Sequence, residues 1–183
     1  MAAPQQNTVS TAVDADDINA WIGRFKDTLN KPETITKPTT GPNTWTSSFL
    51  SCFAPVDTCL ITCCCPCITF SKTHHRLRKD PNLAGFSPVN TTCLGFWLSG
   101  CICLPWLFQL IQKGEVRERY NIQGDFPIDA LKACCCLCCD LIQTDKEVAH
   151  QIAQGNIPAV TQEVKPAEGM TYQAPAAPAP APQ

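Results

Sequence analysis

The 183-residue chain has no charged residue between Pro81 and Gln112, and only Asp57 between Pro38 and Ser71. Charge-free stretches of that length exclude an ordinary solvated surface, although the mean hydropathy of the whole chain is -0.07. An export signal is not expected either. The first ten residues, MAAPQQNTVS, have no basic segment leading into an apolar one, and Asp14, Asp16 and Asp17 follow. The expectation is a compartment in which thiols stay reduced. A net charge of -2 leaves no electrostatic case for nucleic acid as a partner. No Gly-rich phosphate loop, Ser/His/Asp set or paired catalytic acids occur, so the chain is not expected to be an enzyme.

Cysteine is what the chain has in excess, 14 in all. Ten fall in two bursts, Cys59-Leu-Ile-Thr-Cys63-Cys64-Cys65-Pro66-Cys67 and Cys134-Cys135-Cys136-Leu137-Cys138-Cys139. Four chemistries suit such crowding: metal ligation, S-acylation, disulfides and soft packing. Neighbouring cysteines point in diverging directions, which suits several partners better than one disulfide framework.

The chain divides into three parts. Residues 1–43 form a variable arm with one amphipathic helix, on which Ile18, Trp21, Ile22, Phe25 and Leu29 share a face behind an Asp14 or Asp16 cap. That helix either docks on the main domain or lies at a membrane interface with Trp21 at headgroup level. Residues 44–153 form a mainly α, cysteine-rich, membrane-associated domain, and the Pro/Ala-rich tail 154–183 is expected to be disordered.

Within the domain, Cys93 to Ile111 is apolar over the length of a membrane-crossing helix. Basic residues flank it on both sides, Lys72, Arg76, Arg78 and Lys79 before and Lys113, Arg117 and Arg119 after. The positive-inside rule therefore leaves three arrangements open: a span, a bend at Pro105, or burial in a protein core. A third segment, Ile128 to Ala153, reads as one helix capped by Asp129 and closed at Gly155. One stripe on it holds Leu131, Cys134, Cys135, Cys138, Leu141, Ile142, Val148 and Ile152.

For soft cations the candidate ligands are Cys59, Cys63, Cys64, Cys65 and Cys67 with Cys134, Cys135, Cys138 and Cys139. Thiolates from two helices can surround zinc or another soft divalent cation, and the ligands alone do not select among Cd2+, Zn2+ and Cu+. Packing remains open for the same thiols, as does acylation, for which Cys52, Cys101 and Cys103 also qualify. His74 and His75 sit in a basic run expected to be a solvated or phospholipid-facing loop. Asp57, Asp140, Asp145 and Glu147 are expected to cap helices or pair with Lys and Arg, or else to escort cations.

With these residues laid out, the core resembles the placenta-specific gene eight family, which includes the plant cadmium resistance proteins and the cell number regulators. Cys59, Leu60, Cys65, Pro66 and Cys67 match its Cys-Leu-x4-Cys-Pro-Cys pattern, with Asp57 and Phe70 in place. Arg117, Tyr120, Ile122 and Gly124 match its Arg-x2-Tyr-x-Ile-x-Gly stretch, and Gln143 and Glu147 fit its closing motif. Ser71, Thr144 and Asp145 depart from the pattern. The resemblance covers roughly 45–150, and the arm and tail outside it are closer to fungal members than to plant ones. It implies a non-enzymatic protein of the plasma membrane with cytosolic termini and homo-oligomeric assembly. It also implies a part in binding or transport of divalent metal cations, or in control of cell number.

Overall fold

A computed structural model describes residues 13–157, and the architecture is helical throughout this range. The expected disorder of the tail falls mostly on residues 158–183, outside the described ones.

Helix α1 (Ala15–Asn30) begins where the sequence places a cap: the Asp14 carboxylate accepts from the Asp16 amide. It docks through Trp21 and Phe25, whereas Ile18, Ile22 and Leu29 remain outside. The Trp21 indole stacks on His74, ring centroids 5.2 Å apart, and lies against Phe70 and Phe108. Burial of a side chain of this kind contributes about 1.5–3 kcal/mol. A single turn, α2 (Glu33–Thr36), leads to an extended strip that pairs with the segment after α6 at Thr39–Gly124 and Asn43–Ile122. Gly41 lies in this strip, where a Cβ would come within 1.9 Å of the Asn121 carbonyl oxygen; only glycine fits. A 3-10 turn (Phe49–Phe53) then enters the main bundle.

Six helices follow as three pairs, each broken near its middle: α3 (Val56–Cys64) with α4 (Pro66–Arg78), α5 (Thr91–Cys101) with α6 (Pro105–Tyr120), and α7 (Phe126–Cys135) with α8 (Leu137–Ala153). The segment expected as one apolar helix is therefore two. Residues 102–104 interrupt it, Cys103 takes a left-handed φ of 56°, and Pro105 starts α6 instead of kinking a longer helix. Eleven residues of α5 extend about 16 Å, half of a hydrocarbon core. No helix among the described residues is long and apolar enough to cross a membrane. The third segment also divides, at Cys136. Its cap is Asp125, and Asp129 lies inside the first turn. The stripe on it is buried only in its second half: Leu141, Ile142 and Val148 are core, whereas Leu131, Cys134 and Cys135 face outward. The closure at Gly155 is as expected. Gly155 has φ 83°, its amide donates to Ile152 and the Asn156 amide donates to Gln151, a Schellman stop.

Helices α4, α6 and α8 run side by side in one direction. Phe70, Ile111 and Leu141 share one core cluster, and Leu77, Val116 and Val148 share the next level down. Between these levels Asp145 of α8 pairs with Lys72 and Arg76 of α4, at 3.2 and 2.7 Å. On the other side Lys113 of α6, without solvent exposure, pairs with Asp140 of α8 and with Asp129 of α7 at 3.2 Å. Arg117 Nε reaches the second oxygen of Asp129 at 2.9 Å. Gln109 donates to Asp140 at 2.8 Å.

His74 and His75 are buried side chains of α4, not parts of a solvated loop. His74 Nδ1 lies 3.3 Å from the Thr92 hydroxyl, which also accepts from the Trp21 indole. Burial, followed by the nearby Arg24, Arg78, Lys79 and His75 cations, pushes the His74 imidazole well below its ordinary value of 6.5.

Two outcomes are expected. Asp140→Ala leaves the buried Lys113 charge with Asp129 as its one carboxylate partner and should cost about 3 kcal/mol in urea unfolding; the double change Lys113→Met with Asp140→Leu should recover much of that loss. Acid should also destabilise the fold through His74. Its folded-state affinity for protons is depressed, so below pH 6.5 the unfolded chain binds a proton that the folded chain excludes. Stability should fall with decreasing pH from that point by at most about 1.4 kcal/mol per pH unit for this group. His74→Gln should flatten the decline measured by denaturation between pH 7.5 and 5.

Candidate functional site

The two cysteine bursts share more than composition. Cys63-Cys64-Cys65-x-Cys67 and Cys134-Cys135-Cys136-x-Cys138 have the same pattern. The third cysteine of each forms the break between two helices with nearly the same backbone: φ -138° and ψ 72° at Cys65, φ -144° and ψ 74° at Cys136. Each break turns the chain into the first turn of a long helix. Because α4 and α8 run parallel, both breaks arrive at the same end of the bundle. The break before α6 arrives there too.

This geometry brings some of the expected ligands together and separates others. Cys63 lies within hydrogen-bond reach of both Cys59 and Cys138, which joins the two bursts directly. The Cys138 thiol also donates to the Thr62 carbonyl at 3.7 Å. Next to this group the Cys139 sulfur contacts Cys136 and Cys52, 2.7 Å from each. Cys59 and Cys136 pack against the same small core formed by Cys52, Cys139 and Ile142. Thus Cys59, Cys63, Cys138 and Cys139 form one patch, completed by Cys52 and Cys136.

The remaining expected ligands go elsewhere. Cys67 pairs with Cys93 of α5, with Cys65 nearby. Cys64, Cys134 and Cys135 are exposed. Cys52, Cys93 and Cys136 were not among the expected ligands. The sequence signal for Cys136 is its alignment with Cys65 in the repeated pattern; Cys52 and Cys93 carry no such signal and are brought in by packing.

Burial pushes Cys138 up to about 11 and Cys93 up to about 12, with neighbouring thiols adding to the effect. Cys139 is raised further, first by burial and then by its contacts with Cys136 and Cys52. Charged groups stand just beneath. Asp140, next to Cys139, occupies the first turn of α8, where a carboxylate is favoured, yet burial holds it above the usual carboxylate range despite Lys113. Among the described residues, no three His, Cys, Asp or Glu side chains are disposed to hold a metal ion. The patch concentrates sulfur without arranging it around a centre. Asp140, Asp145 and Glu147 are engaged: Asp140 with Lys113, Asp145 with Lys72 and Arg76, and Glu147 by accepting from the Thr46 amide and hydroxyl at 2.7 Å each.

The Arg117–Gly124 stretch serves the fold. Arg117 bridges Asp129 and the Gly124 carbonyl, the latter at 2.6 Å. Tyr120 and Ile122 fill the lower core cluster. A Cβ at position 124 would press within 3.0 Å of the Arg117 side chain. These residues hold the end of α6 against α7 and against the strip that precedes the bundle.

Comparison with known proteins agrees with this architecture of motifs. The PLAC8 family profile matches residues 45–147. Protein PLANT CADMIUM RESISTANCE 2 of Arabidopsis thaliana is 32% identical over 107 residues, which cover 58% of this chain and 68% of that protein. Cell number regulator 3 of Zea mays is 33% identical over 104 residues, covering 57% and 61% respectively. Cell number regulator 10 of Zea mays is 28% identical over 114 residues, covering 61% and 70%. No solved structure matches. A profile that spans more than half of the sequence, and takes in both cysteine bursts with the Arg117–Gly124 stretch between them, places this chain in the PLAC8 family.

Proposed function

We propose that the chain is a non-enzymatic, membrane-associated protein of metal tolerance whose inner thiols bind a soft divalent cation such as zinc or cadmium. The observation that carries this reading is the meeting of Cys59 and Cys63 with Cys138, beside Cys52, Cys136 and Cys139. Sulfur from segments about seventy residues apart in sequence converges at one place, and sulfur is the donor that soft cations prefer. The names of the cadmium resistance relatives point the same way. Thiols bind metal as thiolates, so a cation entering the patch displaces protons from Cys138 and Cys139, whose burial favours the thiol form, and side chains rotate from mutual contact toward the metal. The apolar, charge-poor sequence around the patch supports association with a membrane, with the plasma membrane and cytosolic termini as the assignment. Assembly of several copies and passage of the cation across the bilayer extend the same reading.

A second reading is favoured by the absence, among the described residues, of three side chains disposed around a metal. In it the chain is a membrane scaffold that regulates cell number, as the names of the maize relatives suggest, and its thiols pack or carry lipid.

Elemental analysis of the purified full-length chain separates the two. On the first reading the protein retains cadmium or zinc through gel filtration. The combined change Cys59→Ser, Cys63→Ser and Cys138→Ser leaves too few thiolates for a tetrahedral site and should abolish retention. Cys64→Ser with Cys134→Ser should leave it unchanged, since both are exposed and neither belongs to the patch. Equal metal content in the triple variant and the parent would favour the scaffold.

A further inference from the structure

Each of the three helix breaks presents two exposed thiols at the same end of the bundle: Cys64 and Cys65 before α4, Cys101 and Cys103 before α6, Cys134 and Cys135 before α8. We propose that these six outward thiols are sites of S-acylation, and that the attached chains, with the apolar surface around them, seat this end of the domain in one leaflet of a bilayer. The proposal rests on the membrane half of the reading above and is independent of its metal half.

Three observations converge on it. First, the six thiols are sorted by the fold from the inner set. Cys52 and Cys139 are only 3% and 9% exposed, and Cys63, though exposed, is engaged by Cys59 and Cys138. Second, the outward thiols stand among large apolar side chains that also face out. Leu60 and Ile61 flank the first pair; Trp97, Leu98 and Ile102 accompany the second; Leu131 accompanies the third. Trp97 is 62% exposed and Ile102 66%, values that suit an acyl phase and not water. Third, charge is sparse at this end, where Lys132 beside the third pair lies 5.6 Å over the Phe49 ring. The basic residues of α4 and α6 that begin their last turns, Arg76, Arg78, Lys79, Arg117 and Arg119, lie toward the opposite end, and all are bound in ion pairs.

A thiol in that setting has one modification that matches its surroundings. In the step proposed, a cysteine Sγ gives up its proton and attacks the carbonyl carbon of a long-chain acyl thioester. A new carbon–sulfur bond forms as the donor's carbon–sulfur bond breaks, and the departing thiolate takes the proton. Nothing is oxidised or reduced. The number of sites matters physically: a single saturated chain holds a protein to a membrane only marginally, whereas two chains, or one with an apolar patch, hold it stably. A domain in which no described helix can cross the bilayer gains a firm attachment in this way.

The test uses the full-length chain expressed in a eukaryotic cell. Free thiols are blocked, thioesters are opened with neutral hydroxylamine, and the released thiols are mass-tagged and located by peptide mass spectrometry. Hydroxylamine-dependent tags are expected on peptides carrying the outward thiols and none at Cys52 or Cys139. Replacing all six outward cysteines by serine should abolish the tag and move the chain from the membrane pellet to the supernatant, with helical circular dichroism and cadmium retention unchanged. Should that variant misfold, tagging of the unaltered chain decides alone. A chain that pellets with membranes but carries no hydroxylamine-sensitive tag overturns the proposal and leaves membrane association standing. A tagged chain that retains no cadmium supports it while removing the metal reading.

Discussion

A lysine ammonium cut off from water sets the register of the whole bundle. Lys113 has no solvent exposure, and Asp140 and Asp129 supply the charges that make this tolerable. The three groups come from α6, α8 and α7, so their meeting fixes the height of three helices relative to one another. Such a pair contributes little net stability against an apolar replacement of equal volume, because removing the ions from water costs about as much as their attraction returns. Its value is positional. A shift of α8 by one turn along α6 would separate Asp140 from Lys113 and leave a carboxylate unpaired in the core, an arrangement costing several kcal/mol. Registers that an apolar interface would accept are thereby excluded.

The thiol patch follows from that register. Asp140 immediately follows Cys139, so fixing the carboxylate against Lys113 also fixes the first turn of α8 and the sulfur atoms it carries. On the opposite side of α8, Asp145 holds α4 at the matching height through Lys72 and Arg76. Two polar clamps on one helix, at positions 140 and 145, thus bring the amino ends of α4 and α8 level. Cys63 and Cys138 meet as a result. Contacts between the thiols themselves, weak donors and weak acceptors, supply too little energy to impose this alignment.

Much of this was legible in the sequence where the signal is local. The Asp14 cap, the Gly155 stop and the pairing of the late acidic residues with basic ones depend on neighbours a few positions away or on the expense of burying a lone charge, and each is found. Family membership was legible from the order of Cys59, Cys65, Cys67, Arg117 and Tyr120. The failures have a common cause. Apolar composition looks the same in a continuous helix and in two helices joined by a break, so Cys93 to Ile111 read as one element although Cys103 turns it. Likewise, nothing in Leu131, Cys134 and Cys135 distinguishes a buried stripe from an exposed one until the break at Cys136 rotates α7 relative to α8. His74 and His75 looked solvated because four cations surround them in sequence. The fold directs those cations outward to Asp14, Asp17, Glu115 and Asp145 and turns both imidazoles inward.

The cysteines divide by geometry in a way composition cannot express. A break between two helices changes which side of the chain consecutive residues face. Cys63 meets Cys138 of the other burst, while Cys64 and Cys65 are exposed without such a contact; in the duplicate, Cys136 and Cys138 are half-buried, while Cys134 and Cys135 are exposed. A regular helix through the same residues would have spread the thiols around its circumference at 100° intervals, serving neither side well. The repeated pattern of three cysteines, one spacer and a fourth is therefore read best as the requirement of a broken helix: one set of sulfur atoms is brought together in the thiol patch. The other is exposed among apolar side chains such as Leu60, Ile61, Trp97, Ile102 and Leu131. The Arg117–Gly124 stretch belongs to a different task, holding the far end of α6 so that its amino end stays beside the other two.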